Sequence, residues 1–261
     1  IIMKKKYLLM TCLSVSMFLF TGCASTQKPQ ETKAPIKAET EVDSSKSSFE
    51  NKEKELTVVE VKEGEEYIEE GETLSAEIRR PVLVDQDGKE LPVNKEISEY
   101  VDSLIAEYEE NKASSEKEGE SMHYAVSNTY ETAHDGKQYF SMYMVTTRIM
   151  GSGSESWKTY TIDKQTGKTV SLGDLLGNEE TLKRVSENIS AQMEEQMKED
   201  SSISYFQGTE EKGFSSLTGD ENFYLNQDGS LVIVFDEYTI APGSMGTVEF
   251  TIPTDVAGSF R

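Results

Sequence analysis

The chain has 261 residues, with 48 Asp and Glu against 26 Lys and Arg, for a formal charge of −22. A surface of that sign repels nucleic acid and anionic headgroups, which excludes a nucleic-acid partner and points toward basic proteins or divalent cations. Its cysteines are Cys12 and Cys23 and its histidines His123 and His134, too few for a disulfide framework or a zinc ligand set.

Ile1 and Ile2 precede Met3, the expected initiator. Lys4, Lys5 and Lys6 form a basic n-region, and residues 7–20 supply a fourteen-residue apolar core. A spanning helix needs about 20 apolar residues. Residues 1–22 therefore read as a secretory signal peptide that ends on the small residues Thr21 and Gly22. Phe20-Thr21-Gly22-Cys23 resembles the bacterial lipobox, with Phe20 where leucine is usual. That resemblance implies cleavage between Gly22 and Cys23, lipid on Cys23, and a protein at the outer face of the cell membrane. Two or more acyl chains anchor stably, since each buried methylene contributes about 0.8 kcal/mol. Cys12 leaves with the leader, so Cys23 has no disulfide partner.

Residues 23–55 are mostly Ser, Thr, Lys, Glu and Pro, with Phe49 as the only aromatic. Such a segment cannot bury enough surface to fold and reads as a flexible tether with a reach of about 30 Å. Beyond it, about 200 residues are enough to bury an apolar core. They are expected to form a smaller N-terminal α+β part over 56–120 and a C-terminal α+β domain over 121–261.

A first strand is expected over 56–61 and a second over 74–78, the latter limited by Pro81 or placed at an edge by it. Asp85-Gln86-Asp87-Gly88 is a turn, without the third acidic position and spaced glutamate of a calcium loop. Asn94 is placed to cap a helix whose face carries Ile97, Tyr100, Val101, Leu104, Ile105 and Tyr108. Strands over 122–132, 138–149 and 157–162 suggest an antiparallel meander, with His134-Asp135-Gly136-Lys137 as a tight connection.

Asp163 to Lys168 makes the next turn, and Leu172, Leu175 and Leu176 lead into a helix striped by Leu182, Val185, Ile189, Met193 and Met197. Core packing explains its methionines better than an adaptable binding face does. Asn226-Gln227-Asp228-Gly229 separates the strands 223–225 and 231–235, a hairpin whose second strand is apolar on both faces and therefore central. A last strand covers 247–252 and stops at Pro253.

Catalytic patterns are missing from this order of residues. There is no Gly-x-Ser-x-Gly elbow and no Gly-x-x-x-x-Gly-Lys loop. His123 falls in an expected strand and His134 in a turn, where both are structural or solvated. Gly151-Ser152-Gly153-Ser154 reads as a flexible loop. Asp236 and Glu237, adjacent at a strand end, are expected to point to opposite faces, which is poor geometry for a shared acid and base.

Asp163-x-x-Thr166-Gly167-Lys168-x-Val170-x-Leu172-x-Asp174-Leu175-Leu176, together with Phe223-Tyr224-Leu225, Tyr238-Thr239-Ile240-Ala241-Pro242-Gly243 and the stretch 246–253, resembles a known extracytoplasmic domain. It is the domain shared by the lysozyme-sensing anti-sigma factor RsiV and the peptidoglycan deacetylase PdaC. Residues 81–108 resemble the smaller domain that usually precedes it. The resemblance implies an α+β fold with an antiparallel sheet and packed helices, and it carries over no catalytic domain. Many relatives have Gly-Gly-Ala-His before the Asp-x-x-Thr-Gly-Lys turn, where this chain has Gly151-Ser152-Gly153-Ser154-Glu155-Ser156.

The chain thus reads as a lipid-anchored, non-catalytic binding module that engages a basic, lysozyme-like protein or peptidoglycan. The alternatives are a cell-wall glycan hydrolase or deacetylase working through carboxylates, and a structural accessory of an envelope complex. No cofactor, no metal and no catalytic residue is called for. Cys23→Ser is expected to shift the protein from the membrane to the soluble fraction; a variant that still sediments with membranes would refute lipid attachment.

Overall fold

Six strands, β1 (Glu60–Glu69), β2 (Leu74–Val84), β3 (Tyr124–Asp135), β4 (Tyr139–Met150), β5 (Ser152–Asp163) and β6 (Lys168–Thr169), form one sheet in chain order. A second sheet joins β7 (Asn222–Leu225), β8 (Leu231–Phe235) and β9 (Val248–Thr251). Among the described residues four α-helices complete the α+β fold: α1 (Asn94–Glu118), α2 (Leu172–Leu176), α3 (Glu179–Glu199) and α4 (Thr254–Ala257). The computed structural model describes residues 57–118, 123–206 and 213–261. The leader, its cleavage point at Gly22 and Cys23, and the tether lie outside the described residues.

All strand pairs are antiparallel except β2–β3, which is parallel and is bridged by α1. A parallel pair needs such a crossover, because a tight turn cannot return the chain in the same direction. Helix α1 buries the expected face: Ile97, Val101, Leu104 and Tyr108 pack on Phe140, Met142, Met144, Tyr160 and Ile162. Residues of opposite parity on β4 and β5 face away from α1. On that second face lies the other core, in which Val185, Ile189 and Met193 of α3 pack with Phe223, Leu225, Ile233 and Phe250 of the small sheet. Strand β8 is buried at every position and central, as its unbroken apolar run requires.

Local chemistry explains the turns. Asp163 accepts from Gln165 N at 2.8 Å through its side chain and from Gly167 N at 2.7 Å through its carbonyl. Gly167 sits at φ 70°, the left-handed conformation that favours glycine. Ser171 accepts from Asp174 N to cap α2, and Asn178 accepts from Thr181 N to cap α3.

Several positions differ from their sequence reading, among them β2, which continues through Pro81 to Val84. The first strand begins at Glu60 rather than residue 56, because its antiparallel partner β2 stops at Val84, opposite Glu60. Gly151 alone makes the β4–β5 turn, at φ 75°, and Ser152 to Ser154 belong to β5, so that stretch is paired strand rather than flexible loop. His134 lies near the end of β3, buried, and the tight connection follows it. Asn94 does not cap α1. Its amide accepts from Leu83 N and donates to Leu83 O, both at 2.8 Å, and so acts as an extra rung on β2.

Asn128 does the same from β3. It accepts from Arg79 N at 2.6 Å and donates to Arg79 O at 2.9 Å, just where the β2–β3 ladder stops at Glu77 and Ser127. These two amides carry β2 past Pro81, which pairs with Glu63 beside a bulge in β1.

Asn94→Ala leaves a buried Leu83 N–H without its acceptor and is expected to cost about 1–3 kcal/mol in urea unfolding. Serine, an equally good helix cap, is too short for the double contact. Full stability in Asn94→Ser would show that capping is its role after all.

Candidate binding surface

The second face of the large sheet carries a ring cluster. Tyr143 of β4 lies 4.6 Å from Trp157 of β5 and 5.2 Å from Tyr224 of β7, and Trp157 and Tyr224 are stacked at 6.3 Å, centroid to centroid. Alternation in β4 and β5 puts Tyr143 and Trp157 opposite the α1 core, and β7 brings Tyr224 alongside them. All three rings are half-buried.

Each ring gives its polar hydrogen to a carboxylate. Tyr143 donates to Glu131 at 2.7 Å, Trp157 Nε1 to Glu155 at 2.7 Å, and Tyr224 to Glu249 at 3.2 Å. Burial, then the Glu131 contact, pushes the Tyr143 hydroxyl up to about 12. Burial also raises the Glu249 carboxyl, with Glu155 adding like-charge repulsion while the Tyr224 hydroxyl opposes it.

Next to the rings, Asp236 and Glu237 turn the same way rather than to opposite faces. Asp236 accepts from Trp157 N at 2.8 Å and Glu237 from Glu155 N at 3.2 Å, so both dock on the open edge of β5. Unpaired edge N–H groups of a strand need such partners. Burial raises the Asp236 carboxyl, while the Trp157 N–H and the charge of Arg148 lower it. Arg148 is itself held by Glu107 at 2.8 Å and bonds Ser156 at 2.9 Å. Asp236 and Glu237 thus come together, but as caps on backbone.

Tyr238 follows them directly. It is 61% exposed and adopts φ 65°, the only non-glycine in that region among the described residues. A bulky residue there is strained by about 1–3 kcal/mol and persists only where its surroundings hold it. Gly243 is what permits it: a Cβ there would come within 2.1 Å of the Tyr238 ring. The Tyr238–Gly243 motif is therefore a tyrosine propped outward on a glycine.

The histidines take no part in this surface. His123 is exposed ahead of β3, while buried His134 has no hydrogen-bond partner for Nε2 among the described residues, and that atom lies close to Gly136. Among the described residues, no group of three or more His, Cys, Asp or Glu is placed to hold a metal, and no helix is long and apolar enough to cross a membrane. Sequence reasoning missed the rings as a group. Its available signal was the single tryptophan set in a tyrosine-rich, acidic run of strands, but only the strand register shows that these rings meet.

Residues 173–255 match the family model described as "Protein of unknown function (DUF3298)". The anti-sigma-V factor RsiV of Bacillus subtilis is 34% identical over 206 residues, 78% of this chain and 69% of its own length. Two crystal structures of DUF3298 proteins share the fold. That from Bacteroides fragilis covers 77% of this chain and 92% of its own, with a TM-score of 0.50 and 18% identity. That from Pseudomonas aeruginosa covers 80% and 96%, with a TM-score of 0.53 and 16% identity. At the identity and coverage shared with RsiV, and with the family model over its C-terminal part, the chain belongs to the RsiV-like family of DUF3298 proteins.

Proposed function

We propose that this protein is an extracytoplasmic binding module for a basic, lysozyme-like protein, held at the outer face of the membrane by lipid on Cys23. In this reading residues 1–22 are removed, 23–55 form the tether, and the parts over 56–120 and 121–261 fold together as the ligand-binding head. The observation that carries it is Tyr238, an exposed tyrosine on a strained backbone, flanked by two carboxylates that are fixed to β5. Energetically dominant interface residues are typically aromatic or arginine, centred among groups that contribute less. An aromatic ring on a loop fastened by two carboxylates, in an acidic chain, suits a basic surface, and the charge speeds its encounter by long-range attraction.

The same geometry favours binding over catalysis at this surface. A general acid or base needs a carboxylate free to exchange a proton with substrate, whereas Asp236 and Glu237 accept backbone N–H groups. The related RsiV is named as an anti-sigma factor, not as an enzyme.

Titration calorimetry of the full chain with lysozyme at low ionic strength is expected to give a heat of binding. Tyr238→Ala should weaken it by about tenfold or more, the loss typical of a central aromatic contact. Absence of heat with the unaltered chain would remove lysozyme-like proteins from the reading, and undiminished binding by Tyr238→Ala would move the contact elsewhere.

A further inference from the structure

We propose that the Tyr143–Trp157–Tyr224 surface takes a lysine or arginine side chain of a partner protein, held over the ring faces and among the carboxylates at their rims. The source of that side chain rests on the protein-binding reading above. The surface and its chemistry are argued separately from Tyr238.

Three features converge on a cation. The ring centroids lie 4.6–6.3 Å from one another, two pairs tilted and Trp157–Tyr224 stacked, close enough for one cationic group to lie near all of them. A ring face attracts a cation placed within about 6 Å of its centroid. Hydrogen bonds to Glu131, Glu155 and Glu249 fix a negative charge at the polar edge of each ring. These three carboxylates have no ion-pair partner among the described residues, whereas Glu69, Asp102, Glu107 and Asp135 each have a Lys or Arg. The repulsion between Glu155 and Glu249, part of what raises the Glu249 carboxyl, is relieved when a positive charge enters between them.

A neutral sugar suits the surface less well, although sugars also stack on aromatic rings. The ring O–H and N–H donors are already committed to carboxylates. What faces an incoming group is therefore all acceptor and all negative. A guanidinium or ammonium matches both properties; a sugar leaves the charges in place.

Trp157 is the only tryptophan in the chain, so its fluorescence reports on this surface alone. The full chain, titrated at low salt with hexa-arginine, is expected to show a saturable change in that signal. Affinity should fall about fivefold or more in Tyr224→Leu and in the pair Glu131→Gln with Glu249→Gln. It should hold in Glu65→Gln with Glu70→Gln, exposed positions on and beside β1 that remove the same charge. The glutamine variants alter exposed side chains, so the comparison survives if Tyr224→Leu fails to fold. No saturable change, or equal weakening by the two glutamine pairs, would overturn the proposal. So would a response to a tetramer of N-acetylglucosamine without one to hexa-arginine, which would make this a glycan surface. A chain that responds to hexa-arginine but gives no heat with lysozyme would keep this surface and lose only the lysozyme-like partner.

Discussion

Strand β7 meets the large sheet with its outer edge, and hydroxyl groups receive that edge. Phe223 N donates to Thr159 Oγ1 at 3.0 Å and Leu225 N to Ser141 Oγ at 3.2 Å, while Ser141 and Thr161 bond one another at 2.7 Å. Asn222 adds a bond to Trp157 O at 3.0 Å. A buried N–H left without a partner costs about 1–3 kcal/mol, so these hydroxyls determine where an edge strand can lie on a packed sheet. The rest follows from alternation. With N–H groups 223 and 225 pointing at the large sheet, Phe223 and Leu225 turn into the α3 core and Tyr224 turns out, beside Tyr143 and Trp157.

The same device recurs along β2 and β5. Asn94 and Asn128 supply amide rungs along β2, and Asp236 and Glu237 cap the open edge of β5. In this fold polar side chains do what further strands would otherwise do. Their consequence for function is rigidity. The loop that carries Tyr238 is fastened to β5 by the two carboxylates before it, and the exposed ring rests on Gly243, so little ordering remains to be done when a partner arrives.

What was legible in the sequence is what apolar periodicity encodes. The α1 face, the α3 stripe, the central β8 and the hairpin around Asn226–Gly229 all stand where spacing placed them. What was not legible depends on polar side chains choosing partners far along the chain. Asn94 looks like a helix cap from its neighbours, and only β2 lying 11 residues back makes it a rung. Ser141 and Thr161 are polar positions in alternating strands, and what the sequence does not show is that both are buried because a second sheet lands on them. Asp236 and Glu237 were expected to diverge, as neighbours in a strand do; the chain has left β8 by then, and the β5 edge gathers both. The ring cluster was hidden for the same reason, since its members come from strands up to 81 residues apart.

Charge and rings act over different distances, and this divides their roles. A formal charge of −22 attracts positively charged molecules from afar, but salt screens it beyond about 8 Å at physiological ionic strength. An overall field of this kind raises encounter rates without choosing among basic proteins. Choice has to come from groups that act in contact, such as exposed Tyr238 and the half-buried Tyr143, Trp157 and Tyr224. Contact of a cation with a ring is weakened little by salt once water is displaced, and it requires the partner's charge to sit in one place. Under the proposed function, an acidic head on a tether would capture broadly and retain narrowly, with retention decided by where a partner carries its lysines and arginines relative to those rings.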